Sequence, residues 1–127
     1  MEVYGIGTDI IEVARIAAAI EKNGSFLKKV YTGSEIEYCQ KKDKGKYPSF
    51  AARFAAKEAA AKSLSEGVGK DVSLNEIELS HTGRGAPYII LHGKTLEYSL
   101  KLGIKEIKIS VSAMDNLAVA YAMSLIG

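Results

Sequence analysis

From Phe50 to Leu64 the chain reads FAARFAAKEAAAKSL, a run made almost wholly of alanine and charge. Alanine has the highest helix propensity of any residue, so the run reads as a helix. The helix carries little apolar bulk of its own, and this constrains everything around it: whatever packs on it has to approach its backbone closely. At about 100° per residue, Ala52, Ala56, Ala59 and Ser63 share one small, flat face. Glu58 and Lys62 point away from that face, Arg53 and Lys57 take a third direction, and Phe50 and Phe54 lie between the charged pairs. A bland account is available for one pair. Glu58 and Lys62 have i,i+4 spacing, an ion pair worth roughly a few tenths of a kcal/mol. A functional account is that a carboxylate holds a hard cation while lysine and arginine neutralise phosphate oxygens beside it.

The elements around this helix follow from periodicity and turn residues. VYGIGTDI begins as a strand over 3–7, and a helix starts at Thr8 or Asp9, with Ile11, Ala14, Ile16 and Ala18 on its apolar side. Asn23-Gly24 is a helix C-terminal signal. Phe26 to Val30 forms a further helical turn, and Thr32 or Ser34 opens another helix. Both have capping-box spacing, to Glu35 and Glu37 respectively. KKDKGKYP, residues 41–48, is a charged loop, and the alanine-rich helix behind it ends at Gly67 or Gly69. LNEIELSH and PYIIL read as strands joined by the turn HTGRGAP. Lys94 to Leu102 reads as a helix stopped by Gly103. Ile107, Ile109 and Val111 then alternate, Asp115-Asn116 turns the chain, and a last strand completes a hairpin. Helices mixed with antiparallel strands make the fold class α+β. No linker or repeat divides residues 1–127, which read as one domain. The hairpin has an apolar side on each half, Ile107, Ile109 and Val111 with Leu117, Val119 and Tyr121, and burial against further copies of the chain is expected there.

Composition removes several classes of function. Hydrophobic residues are 47% and charged residues 25% of the chain, ordinary values for a folded soluble protein. No apolar run approaches a membrane span, and the N-terminal residues lack the pattern of an export signal, so the expected setting is cytoplasmic. Cys39 is the sole cysteine, which excludes an internal disulfide and suits a reducing compartment. One cysteine with two separated histidines, His81 and His92, makes a zinc site improbable. A net charge of +2 gives no case for nucleic acid but allows a local basic patch facing an anionic ligand or acidic partner.

Asp9 is the second candidate for chemistry. Its spacing to Glu12 is that of a helix capping box, which alone would account for an aspartate there. The GIG before it lacks the third glycine and the lysine that phosphate-binding loops require.

The segments YGIGTDIIEVARI, YTGSEIEYC, ARFAAKEAAAKSLSEGVG, NEIEL, GAPYIIL and ISVSAMDNLAVA, in this order, resemble the holo-acyl-carrier-protein synthases, the small bacterial-type 4′-phosphopantetheinyl transferases. The likeness is collinear over nearly the whole chain, and GIGTDI and RFAAKEA are its most specific parts. It implies an antiparallel sheet packed with helices, assembled as a homotrimer with active sites at subunit interfaces. The activity implied is transfer of the phosphopantetheine arm of coenzyme A to a serine of apo acyl carrier protein, releasing 3′,5′-ADP and serving fatty acid biosynthesis. The resemblance assigns Mg²⁺ to Asp9 and Glu58 and the coenzyme A phosphates to Lys62; Arg53 and Lys57, the helix's other cations, are expected from its charge pattern to face the coenzyme A phosphates as well. Mg²⁺ and Lys62 would neutralise the charge that grows on the pyrophosphate as the serine oxygen attacks. Candidates to take the serine proton are Glu58, directly or through a water, a metal-bound water, and an acidic residue of SEIE, with Glu58 preferred. Arg15 stands where the family has a basic residue facing the carrier protein, and Lys22, Lys28 and Lys29 extend the positive charge. Carrier proteins of this class are acidic, so steering is favoured over a merely solvated basic face.

One position departs from the family pattern. Ser110-Val111-Ser112-Ala113 ends in alanine where the family has a histidine on the nucleotide side of its site. That departure motivates an alternative, a non-catalytic carrier-binding module. A second alternative is another Mg²⁺-dependent pyrophosphate-ester transferase with the same metal pair.

Overall fold

A computed structural model describes residues 1–64 and 67–127. Its elements in chain order are β1 (Glu2–Glu12), α1 (Val13–Lys22), α2 (Phe26–Val30), α3 (Gly33–Gln40), α4 (Lys46–Ser63), a 3₁₀ turn (Leu74–Glu76), β2 (Ile77–His81), β3 (Pro87–Leu91), α5 (Gly93–Lys101), β4 (Ile104–Ala113) and β5 (Leu117–Ile126). The strands form a three-stranded antiparallel sheet in the order β1-β5-β4 and a separate β2–β3 hairpin. The α+β expectation therefore holds, and the solved relatives described below share the fold. Among the described residues no helix is long and apolar enough to cross a membrane.

The alanine-rich helix α4 is the centre of the core. Phe50, Ala51, Ala55, Ala56, Ala59, Ala60, Ala61 and Leu64 have no exposed surface. The sheet covers one side of α4, and α1, α3 and β2 cover others. The close approach demanded by so small a helix is met by glycine. A Cβ on Gly7 would collide with the carbonyl of Ala59, and one on Gly5 with the carbonyl of Ser63. The GIG segment thus serves helix–strand packing. Facing it on β5, Ala118, Ala120, Ala122 and Ser124 are buried, and Ser124 Oγ donates to the Ser63 carbonyl at 2.6 Å. The aromatic residues of α4 anchor α2, with Phe54 stacked on Phe26 at 6.4 Å and Phe50 edge-on to Tyr31 at 5.0 Å.

Several boundaries differ from the sequence expectations. The first strand runs to Glu12, so no helix begins at Thr8 or Asp9, and the residue before α1 is Glu12, with no side-chain cap. Asp9 is consequently not a helix cap. Lys46 to Pro48, expected in a loop, form the first turn of α4. The same helix stops at Ser63, and the part of its expected extension at 65–66 lies outside the described residues. Thr32 and Glu35 do form the expected capping box at α3.

Register corrects the apolar face of the hairpin. Ile109 pairs with Ala122 and Val111 with Ala120, so these isoleucine and valine side chains share the inner face with the buried alanines. Val119 and Tyr121 are on the opposite face, exposed, in line with Ile10 and Thr8 of β1. The expected single apolar side is in fact two: Ile107, Ile109 and Val111 belong to the core side, while the outer face is formed by Ile6, Ile10, Val119 and Tyr121.

Candidate active site

Asp9 lies on the inner face of β1, opposite Ala120, two residues beyond the glycine that admits α4. Residues 58 and 62 are one helical turn apart, so the contact at Gly7 carries Glu58 and Lys62 to the side of Asp9. Lys62 Nζ is 3.6 Å from Asp9 Oδ1 and donates to the Thr8 carbonyl at 3.0 Å. The side chain of Lys62 remains 50% exposed and that of Asp9 only 18%. Lys62 therefore makes its ion pair with the strand. The part Thr8 plays here is not signalled by the sequence, because its contribution is a backbone carbonyl.

The electrostatics of this corner are those of an under-neutralised carboxylate pair. Burial raises the pKa of Asp9, and Lys62 only partly opposes it. Burial also raises that of Glu58, with the neighbouring Asp9 charge adding to the shift and Lys62 again opposing. Asp9 Oδ2 is buried and has no hydrogen-bond partner. A buried carboxylate oxygen without a partner is costly, and a cation is one way to satisfy it. Among the described residues no group of three or more His, Cys, Asp and Glu is placed to hold a metal. Two carboxylates fit Mg²⁺, which keeps several waters and accepts substrate phosphate oxygens.

Arg53 and Lys57 do not join this cluster. Arg53 is buried, lies over the Tyr38 ring at 4.4 Å and donates through Nη1 to Ser49 Oγ at 3.1 Å. It lines a cavity of about 270 Å³ with Ser34, Tyr38, Glu78 and His81, among others. Lys57 has no exposed surface. Its ammonium is 2.5 Å from Glu35 and also donates to the carbonyls of Leu74, at 3.1 Å, and Ile77. Burial lowers its pKa against the opposing pull of Glu35. The expectation that Lys57 faces a bound cofactor is therefore corrected: its charge is consumed inside the fold. The same pairing removes Glu35 as a candidate base, since Glu35 is buried and bonded to Lys57, Thr32 N and Leu79 N. The bond of Glu35 to Lys57 was not legible in the sequence, because it and the bond to Leu79 join residues 22 and 44 positions apart.

Arg15, Lys22, Lys28 and Lys29 are all exposed, along α1 and α2. His81 stacks on Tyr38 at 6.3 Å, and His92 contacts Glu78 at 2.8 Å; neither is near Asp9 in these pairings. Ala113 ends β4 opposite Ala118 and is exposed.

A family model described as the 4′-phosphopantetheinyl transferase superfamily matches residues 5–122. The holo-[acyl-carrier-protein] synthase of Ruminiclostridium cellulolyticum is 49% identical over 123 residues, covering 96% of this chain and 92% of that protein. The crystal structure of holo-ACP-synthase from Plasmodium yoelii has a TM-score of 0.87 at 33% identity, covering 99% of this chain and 97% of that one. The Helicobacter pylori holo-[acyl-carrier-protein] synthase, solved in complex with coenzyme A, has a TM-score of 0.82 at 33% identity, covering 94% of this chain and 99% of that one. With likeness of sequence and fold at this level along almost its whole length, the chain belongs to the 4′-phosphopantetheinyl transferase superfamily, as an enzyme of the holo-[acyl-carrier-protein] synthase kind.

Proposed function

We propose that this enzyme transfers the 4′-phosphopantetheine group of coenzyme A to a serine of an apo acyl carrier protein, with Mg²⁺ as cofactor and 3′,5′-ADP as the second product. The observation that carries this reading is the meeting of Asp9, Glu58 and Lys62 where β1 crosses α4, with one buried Asp9 oxygen left without a partner. The coenzyme A complex of the Helicobacter pylori relative supports the choice of donor.

Asp9 and Glu58 would hold Mg²⁺, which when bound would neutralise pyrophosphate charge. Lys62, half-exposed and anchored on the Thr8 carbonyl, presents a fixed ammonium to phosphate oxygens. Glu58 accepts the serine proton. Arg15, Lys22 and Lys28 form the exposed basic face that steers an acidic carrier protein toward this corner.

We further propose that the chain works as a homotrimer through the outer face of the β1-β5-β4 sheet. Ile6, Ile10, Val119 and Tyr121 stand exposed there, an apolar face of the kind that copies of a chain cover for one another.

Asp9→Ala and Glu58→Ala test the site. Each variant is expected to stay folded and to lose nearly all transfer, measured with coenzyme A and apo carrier protein at saturating Mg²⁺. Normal turnover in either would remove the metal assignment.

A further inference from the structure

We propose that Glu35 and Lys57 are positioning residues: their buried ion pair clamps the side of α4 away from the sheet and sets the rotation at which Glu58 and Lys62 face β1. This rests on the reading of the site given above and adds to it two residues that never touch substrate.

The sheet side of α4 holds the helix close, through alanines against glycines and alanines and, toward the helix end, through the bonds of Ser124 Oγ to the Ser63 carbonyl and of Lys62 Nζ to the Thr8 carbonyl. The other side carries a second, buried set of directional bonds at mid-helix. Lys57 immediately precedes Glu58 on the helix. Its ammonium meets Glu35 Oε1 at 2.5 Å, the Leu74 carbonyl at 3.1 Å and the Ile77 carbonyl. Glu35 in turn accepts from Thr32 N and from Leu79 N, both at 2.9 Å. Through this pair the start of α3, the start of β2 and the middle of α4 are tied at one point, with neither side chain reaching solvent. The geometry gives the clamp leverage. A side chain at the edge of a helix lies about 5–6 Å from its axis, so a roll of about 10° moves a carboxylate there by about 1 Å. A displacement of about 1 Å can cost about 100-fold in rate.

Stability alone is a weak reason for such a pair. Taking two charges out of water offsets most of their attraction, and well-packed apolar residues of similar volume often serve as well. What apolar residues lack is direction.

The test separates the two roles. Lys57→Met alone leaves Glu35 unpaired and should lower the melting temperature strongly. The double variant Glu35→Gln/Lys57→Met, which keeps an acceptor for Thr32 N and Leu79 N, should regain part of that loss. Transfer is then assayed well below the lower melting temperature, with Mg²⁺ varied. The double variant should bind Mn²⁺, used in place of Mg²⁺ and read by electron paramagnetic resonance without substrate, roughly 10- to 100-fold more weakly, and should need correspondingly more Mg²⁺ for half-maximal rate, with reduced kcat and an unchanged KM for carrier protein. If the double variant does not fold, Lys57→Arg, which keeps the charge and changes the geometry, gives the same readout. A wild-type Mg²⁺ requirement and kcat in the folded variant would overturn the clamp. Failure of the wild-type protein to transfer at all would overturn the function instead.

Discussion

Asp9 shows how a residue's surroundings decide what its sequence context leaves open. Its spacing to Glu12 suggested a cap, but the strand continues through it and leaves one oxygen facing Lys62 and the other buried and unbonded. Its pKa and that of Glu58 are raised, chiefly by burial. The folded protein therefore retains protons at pH values where the unfolded chain has released them. Without divalent cation, stability should fall as pH rises from the ordinary carboxylate range through these raised values. Asp9→Asn should accordingly raise the melting temperature in chelator at pH 7, and the gain should shrink toward pH 4. An Asn variant that is less stable than wild type at pH 7 would show that the Lys62 pair outweighs burial. Glycine gives a second test at this scale. Gly7→Ala places a methyl against the Ala59 carbonyl and Lys62 Cβ, and should cost about 1–3 kcal/mol, read from denaturant melts, together with most transfer activity. Asp9, Glu58 and Lys62 were legible as a group only through resemblance to a family. Lys57 was misassigned because a helical projection gives directions and says nothing about which of them the fold will cover.

The helices differ in how much of their definition is local. The start of α3 was visible because both members of its capping box lie within four residues. The start of α5 was also legible to within one residue, Lys94 against Gly93, but what caps it was not. His92 precedes it without a side-chain cap, and the carboxylate of Glu76 supplies the bonds from outside. Glu76 accepts from Lys94 N and Thr95 N, each at 3.2 Å, and from Thr95 Oγ1 at 2.7 Å. Gly93 has φ +55, a conformation that favours glycine, and a Cβ there would displace the Glu76 carboxylate from its capping position. Glu76→Ala should destabilise the protein by about 0.5–2 kcal/mol, the usual effect of losing a cap, with no change in the Mg²⁺ requirement for transfer. A shift in that requirement would mean that α5 reaches the site. Strand ends were likewise local: Asp115-Asn116 marked the β4–β5 turn, and HTGRGAP the turn between β2 and β3. Strand faces were not, because the inward or outward direction of Ile109 against Tyr121 depends on register across the pair.

The whole molecule presents two surfaces that its proposed work would use. The outer sheet face, with Ile6, Ile10, Val119 and Tyr121, is the proposed trimer contact. Tyr121→Glu should shift the mass in light scattering from trimer to monomer; a wild-type protein that is already monomeric at working concentration would remove the assembly. The basic face on α1 and α2 is separate in sequence and character. Arg15→Glu should raise the KM for carrier protein several-fold, with a smaller effect on kcat and little on coenzyme A affinity. Rising ionic strength should weaken the wild type more than the variant. An unchanged carrier KM with weakened coenzyme A binding would place Arg15 on the nucleotide side. The most direct measurement of the central claim is mass spectrometry of apo carrier protein incubated with coenzyme A and this enzyme. The account predicts a gain of one phosphopantetheine group per carrier in Mg²⁺, with 3′,5′-ADP formed in equal amount, and no gain in chelator or with Asp9→Ala. A carrier protein of unchanged mass after incubation with wild-type enzyme and saturating Mg²⁺ would contradict it.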